Sequence, residues 1–404
     1  ALGSAMTSYA LVLWLYGESG SALYTAMLTI TSYAPYVLLS IFAGALCDRF
    51  DKKNTMLICD SISALCTITV ILLFACNALQ VWHLYIVNAI GGLMNTVQQP
   101  ASEIASTALV PEKHYQKIGG LRYFSSSLSS ILTPVIATAV YSFSGLEAVL
   151  TVDLLTFAVA FITLMFFIRI PKQSAESAEL SLIKSAKSGL DFLKSHKQVL
   201  MLIMYLSAIN LVASMYEAVL PAMVLSRKGG GTQALGAVST CVGVATLIGS
   251  IIATLMPKPK SRRRVICLSL LFSMSTENFF LAFGQTPLLW CTGAVLGWIL
   301  IPMMSANLDV IMRTKVPCHM QGRVYSARNT LQFFTIPLGN FLGGLAVDTF
   351  AEPLMAAMPH NSLMCNIFGS GKGSGAALIF FIIGIMGVAI CLIFNSNKHI
   401  KKIE

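Results

Sequence analysis

Apolar stretches of 18 or more residues, each with at most one charge, recur along the whole chain. A helix of about 20 such residues crosses the hydrocarbon core of a bilayer. Lipid offers no partner to a backbone N–H or C=O, so runs of this length and composition are satisfied only as helices or as a closed barrel. The complete runs lie at about 22–46, 55–77, 81–102, 121–143, 147–168, 198–225, 233–256, 265–284, 286–310, 324–347 and 375–395. Residues 1–16 form one more apolar helix that lacks its own beginning and has no basic flank or cleavage site, so it reads as part of a span and not as a signal peptide. The expectation is an all-α integral membrane protein with twelve transmembrane helices, the first truncated. Only 11% of the 404 residues are charged and 56% are hydrophobic, where soluble domains are roughly a quarter charged. That excludes a cytosolic enzyme, a nucleic-acid-binding domain and a disordered chain.

The net charge of +10 is distributed by side. If successive spans alternate in direction, one face carries only Arg227, Lys228 and Lys372, and the other carries the remaining 24 of the 27 Lys and Arg. Basic loops stay cytoplasmic. The reading is a multi-pass protein of the cell membrane with both termini in the cytosol. Membrane lipids are partners, through attraction of the basic loops to anionic headgroups, and nucleic acid is not.

Ten cysteines are scattered through the spans without a C-x-x-C pair, and six histidines fall in or near loops without metal spacing. No metal site, disulfide framework, cofactor or catalytic constellation is expected, and the chain is read as not an enzyme. Gly369-Ser370-Gly371-Lys372-Gly373-Ser374 lacks the spacing of a phosphate-binding loop.

The longest base-rich connection, 171–197, divides the chain into an N-terminal bundle (1–170) and a C-terminal bundle (198–404), six spans each. The halves repeat one another. Gly91 precedes Pro111 by 20 positions, with Glu103 eight before the proline; Gly297 precedes Pro317 by the same 20, with Asp309 eight before it. A Gly and an Arg follow each proline, Gly120 and Arg122 in one half, Gly322 and Arg323 in the other. Transporters are commonly built from such repeats, with the substrate bound at the midplane between them.

Gly44-Ala45-Leu46-Cys47-Asp48-Arg49-Phe50-Asp51-Lys52-Lys53 joins the second and third spans. This segment resembles the loop signature of the major facilitator superfamily, G-x-L-x-D-R-x-x-[RK]-[RK]. Val110-Pro111, the helix around Pro134, Thr156-Phe157 and Pro317 with Gly322-Arg323-Val324-Tyr325-Ser326 are similar to the drug–proton antiporter branch that includes macrolide efflux proteins. Where many proton antiporters carry an arginine in the fourth span, this chain has Asn88-Ala89-Ile90-Gly91-Gly92. The resemblance implies a gate made of Gly44, Asp48, Arg49, Lys52 and Lys53, with Glu103, Arg122, Asp309 and Arg323 as repeat-related partners. Glycine there allows close helix approach, and an anion beside a helix N-terminus is favoured by the dipole.

An ionisable group inside a bilayer costs on the order of 3 kcal/mol or more. Four acids lie well within spans: Asp60, Asp153, Glu217 and Glu277. All four are candidates for proton coupling. The resemblance separates them, since spans three, six, nine and twelve form the scaffold of that fold and carry Asp60, Asp153 and Glu277, for which a structural hydrogen bond is the plainer reading. Glu217 lies on span seven, which borders the cavity in that fold, four residues before Pro221. The expected cavity wall is Tyr33, Tyr36, Asn88, Met94, Asn95, Gln98, Met215, Tyr216, Glu217, Trp298, Met303 and Asn307. Aromatics, methionines and a few amides suit an amphipathic molecule held by shape-tolerant contacts.

The function these features imply is secondary active efflux of small amphipathic, drug- or macrolide-like compounds by a monomer, with protons as the exchanged ion and alternating access as the mechanism. The alternative on the same fold is a lysophospholipid transporter or flippase, or a siderophore exporter.

Overall fold

The structure, a computed structural model, describes residues 2–49, 51–108, 115–168, 190–257, 259–317, 321–359 and 361–401. Every element among them is helical. The helices are α1 (Leu2–Ser19), α2 (Ala22–Arg49), α3 (Lys52–Ala75), α4 (Val81–Ala108) and α5 (Tyr115–Ile162), which ends in a π turn at Thr163–Phe167. After the connection come α6 (Lys197–Ser226), α7 (Thr232–Leu255), α8 (Arg262–Phe283), α9 (Pro287–Trp298), α10 (Ile301–Lys315), α11 (Gln321–Phe333) and α12 (Thr335–Leu345). A π-helix (Ala346–Ala351), α13 (Glu352–Ala356), α14 (Leu363–Phe368), α15 (Ser374–Ser396) and α16 (Lys398–Lys401) complete the chain. Nine segments among the described residues are long and apolar enough to cross a membrane.

Backbone chemistry explains where the apolar runs break. Gly145, at φ 75° and ψ −171°, interrupts α5 between two of the expected spans. Only glycine takes that conformation without strain. Pro302 has no N–H for the carbonyl of Trp298, and the run expected at 286–310 is divided there into α9 and α10. Pro337 frees the carbonyl of Phe333 in the same way, and the run expected at 324–347 is divided at Phe334. Pro35, Pro134 and Pro221 sit inside helices that continue past them.

Two separate apolar cores form. One contains Met6, Leu15, Leu28, Leu84 and Leu150, all from before residue 168. The other surrounds Tyr205, Met223, Trp290 and Phe380 and comes almost wholly from after residue 190. Between them, α2 packs on α12 and α5 on α7. Absent side chains permit the closeness of these seams. A Cβ at Gly236 of α7 would lie 2.6 Å from Thr138 Oγ1 on α5, and one at Gly344 of α12 would lie 2.7 Å from the Leu23 Cα on α2. The connections after α1, α3, α6, α8 and α14 lie at the base-poor ends of the helices; those after α2, α7 and α10 lie at the base-rich ends.

Candidate functional site

The seam between the two cores contains a cavity of about 210 Å³. Tyr9 and Val12 of α1, Thr25, Ala26 and Thr29 of α2, Tyr216 to Pro221 of α6, and Leu235 and Ser239 of α7 line it, with Val219 alone of that α6 stretch outside the lining. Among the described residues that line it, Glu217 is the one carboxylate. Its side chain is open to the cavity and takes no hydrogen bond from a described residue. The next residue back, Tyr216, is buried and turns its ring edge onto Phe380 at 5.5 Å. Successive helical residues point about 100° apart, so Tyr216 anchors α6 in its core while Glu217 faces the seam. Tyr33, 40% exposed, lies on α2 within electrostatic reach of Glu217.

Contacts between the two sets of helices run from the cavity toward the base-poor face. The Tyr9 and Ser239 hydroxyls are 3.3 Å apart. Tyr16 donates to the Ala222 carbonyl at 3.0 Å and pairs with the Ser226 hydroxyl at 2.6 Å. Asp348 accepts hydrogen bonds from Ser21 Oγ, from the Ala22 N–H at 3.1 Å and from the Leu23 N–H at 2.9 Å. Nearby, Arg227 donates Nη1 to the Gly284 carbonyl at 2.5 Å and Nη2 to the Phe368 carbonyl, holding the ends of α8 and α14 together. Burial lowers this guanidinium to about 10, an effect opposed by Glu352, which leaves it charged at physiological pH. Glu352 itself caps α15, accepting from Gly373 N–H at 3.0 Å and Ala376 N–H at 3.1 Å.

The other three acids of the spans each have a partner. Asp153 is 8% exposed and accepts from Ser4 Oγ at 3.2 Å and Thr67 Oγ1 at 3.3 Å, joining α1, α3 and α5. Gly3 leaves the necessary room, since a Cβ there would lie 2.7 Å from Asp153 Oδ1. Asp60 accepts from Gln98 Nε2 at 2.6 Å. Glu277, 4% exposed, accepts from the Trp298 indole N–H at 2.8 Å.

Of the expected cavity wall, Tyr216 and Glu217 line the cavity. Others are directed elsewhere. Asn88 donates to the Leu28 carbonyl at 2.7 Å and fixes α4 on α2. Gln98 and Trp298 are the partners of Asp60 and Glu277. Asn307 donates to the Met303 carbonyl of its own helix at 2.8 Å. Tyr36 meets Phe333 edge-on at 5.5 Å across the seam between α2 and α11. Met215 is buried; Met94 and Met303 are half-buried, and Asn95 is exposed. None of these four lines this cavity.

Of the expected gate, Gly44 lies within α2, and the side chains of Asp48, Arg49, Glu103, Arg122 and Arg323, with most of the connection 171–197, lie outside the described residues. Asp309 is exposed on α10, and Lys52 is buried at 9% exposure. Lys53 donates to the carbonyls of Met165 at 2.9 Å and Ile168 at 2.8 Å, so its ammonium caps the π turn after α5 within its own half. Sequence reasoning missed Tyr9, Tyr16, Arg227, Asp348 and Glu352. For the three charged residues the one signal was an acid or base close to the end of an apolar run; the two tyrosines gave none.

The profile of the Major Facilitator Superfamily matches residues 1–340. The chain is 25% identical over 350 residues to macrolide efflux protein A of Streptococcus pyogenes, covering 85% of this chain and 86% of that one. It is 23% identical over 361 residues to the multidrug efflux pump Tap of Mycolicibacterium fortuitum, covering 86% of each. Among solved structures, a mutant of the nucleoside transporter NupG superposes with a TM-score of 0.68 at 14% identity, covering 98% of this chain and 95% of that one. A bacterial homologue of ferroportin in an inward-facing state gives a TM-score of 0.68 at 12% identity, covering 98% and 96%.

Proposed function

Because the chain belongs to the major facilitator superfamily, we propose that it is a secondary exporter of amphipathic organic compounds, exchanging them for protons by alternating access. The observation that carries this reading is Glu217. It is a carboxylate without a hydrogen-bonding partner among the described residues, at membrane depth, in a cavity where the two halves meet. A carboxylate so placed can hold a proton in one state and release it in the other, and its cost in a bilayer argues for a use. The named relatives, a macrolide efflux protein and a multidrug efflux pump, support export of bulky hydrophobic molecules.

The base-rich face is the cytosolic one by the positive-inside rule, which puts both ends of this chain in the cytosol and Tyr16, Asp348 and Arg227 on the outer side. In this reading residues 1–170 and 198–404 are the two rocking bodies, each of six spans, and 171–197 is their tether. The protein works as a monomer. Asp48 and Arg49 close the cytosolic side with Glu103, Arg122, Asp309 and Arg323, while the seam contacts described here close the outer one. The test is a panel of macrolides, lipophilic cations and lysophospholipid offered to inverted vesicles with and without an imposed pH gradient. Gradient-dependent accumulation of macrolide or cation is the expected result. Lysolipid movement indifferent to the gradient would replace this function with a flippase.

A further inference from the structure

We infer that Asp348 is the latch of the outer gate, a carboxylate of the C-terminal half that serves as the helix cap of α2 in the N-terminal half. The first turn of any α-helix leaves backbone N–H groups without partners, and a cap is normally supplied from the residues just before it. For α2 the duty is divided. Ser21 Oγ, the local cap, accepts from the Tyr24 N–H at 3.2 Å. The Ala22 and Leu23 N–H groups are taken by Asp348, more than 320 residues away in the chain, and the Ser21 hydroxyl donates to the same carboxylate. A carboxylate facing N–H donors at the positive end of a helix dipole makes charge-assisted hydrogen bonds, which are the stronger kind.

The surroundings make this a closure between rocking bodies and not a fixed joint within one. One helical turn below Asp348, Gly344 allows α12 to approach α2 so closely that a Cβ would lie 3.0 Å from the Ala22 carbonyl oxygen. Across the same rim, Tyr16 hydrogen-bonds Ser226 and the Ala222 carbonyl. Separating the halves on this side exposes Asp348 and the first turn of α2 to water, which can replace every bond lost. A contact that forms in one state and is hydrated in the other biases an equilibrium without blocking it. The latch also has a counterpart. Asp48, near the other end of α2, is the acid that the sequence signature places at the cytosolic gate. One helix thus offers its N-terminus to a carboxylate of the opposite half on the outer side and carries its own carboxylate on the inner side.

This inference rests on the alternating-access reading but not on proton coupling or on any substrate. The reporter is Thr29→Cys, in the cavity wall about 12 Å along α2 from Ser21 by helical rise. A membrane-impermeant maleimide is added to the outer face of intact cells without substrate, and labelling is counted above that of the same chain lacking Thr29→Cys. Asp348→Ala and Asp348→Asn should each accelerate labelling by about tenfold, the scale on which charged hydrogen bonds bias an equilibrium. Asp348→Glu should restore part of the slow rate, and Ser21→Ala should accelerate labelling less than Asp348→Ala. Unchanged rates in both Asp348 variants at normal membrane levels would overturn the latch. If those variants fail to reach the membrane, an unchanged rate in Ser21→Ala would overturn it alone. Faster labelling in a protein that shows no gradient-driven transport would keep the latch and remove the proton-exchange reading.

Discussion

Trp298 donates its indole N–H to Glu277 Oε1 at 2.8 Å, and Gly297, the residue before it, leaves the space in which that carboxyl group lies. A Cβ at position 297 would be 2.5 Å from Glu277 Oε2. The indole and the glycine act together, one satisfying the acid and the other making room for it. Glu277 is thereby held among the helices of the C-terminal half, outside the lining of the cavity that Glu217 enters.

Removing either support should be felt as instability. Trp298→Phe keeps an aromatic ring and leaves Glu277 buried without its donor, which costs about 1–3 kcal/mol. Gly297→Ala forces the carboxyl group out of place. Both variants should lower the thermal midpoint in detergent, whereas Glu277→Gln, which retains an acceptor for the indole, should lower it least. An unchanged midpoint in Trp298→Phe would contradict this role for the bond.

Asp153 should behave as a structural tie. Ser4 and Thr67 donate to different oxygens of Asp153; Asp153→Asn can accept from one hydroxyl and donate its amide to the other, and Asp153→Ala can do neither. Stability should follow the order wild type, Asn, Ala, with the Ala variant down by about 1–3 kcal/mol for the polar groups left unpaired. Gradient-driven transport per folded molecule should survive Asp153→Asn, measured in vesicles normalised for folded protein.

Arg227 holds two carbonyls with one planar fork, a geometry lysine does not reproduce. Arg227→Lys should therefore be almost as damaging as Arg227→Met. The readout is hydrogen exchange: backbone amides at 284–290 and 363–369 should exchange faster in both variants. Protection equal to wild type in Arg227→Lys would show that charge alone suffices.

Lys53→Met removes the cap on Met165 and Ile168. The expected result is faster exchange confined to the end of α5 and its π turn. If the variant instead changes the distance between the two halves, as read by paired spin labels, Lys53 belongs to the gate and not to its own half.

What the sequence made legible is set by locality. Hydropathy is summed along the chain, so the spans and the base-rich face could be read directly, and the signature from Gly44 to Lys53 is contiguous. A lone acid in an apolar run marked Asp60, Asp153, Glu217 and Glu277 alike, and only the resemblance, which puts span seven beside a cavity, set Glu217 apart; it does line the cavity described above. Spacing along one helix does not say which neighbour a side chain meets, so the hydrogen-bond partners of the expected wall residues could not be read from sequence. Asn88, Gln98 and Trp298 each turn a polar group onto an adjacent helix. Proline was an equally ambiguous sign. Pro221 leaves α6 continuous through Ser226, whereas Pro302 divides its helix after Trp298. Asp348 was illegible because its partners are residues of a different half, and nothing near position 348 in sequence indicates them.

Whether Glu217 carries the exchanged proton is decided by its replacement with glutamine. Inverted vesicles containing the wild type or Glu217→Gln are loaded with a macrolide or lipophilic cation under an imposed pH gradient, and binding of the same compound is measured without one. Glu217 accepts no hydrogen bond from a described residue, so the variant should fold and reach the membrane normally. A proton-carrying Glu217 gives gradient-driven accumulation in wild type and loss of the gradient-dependent part in Glu217→Gln. Accumulation of equal rate and equal pH dependence in the two proteins would contradict that role and leave Glu217 an architectural residue.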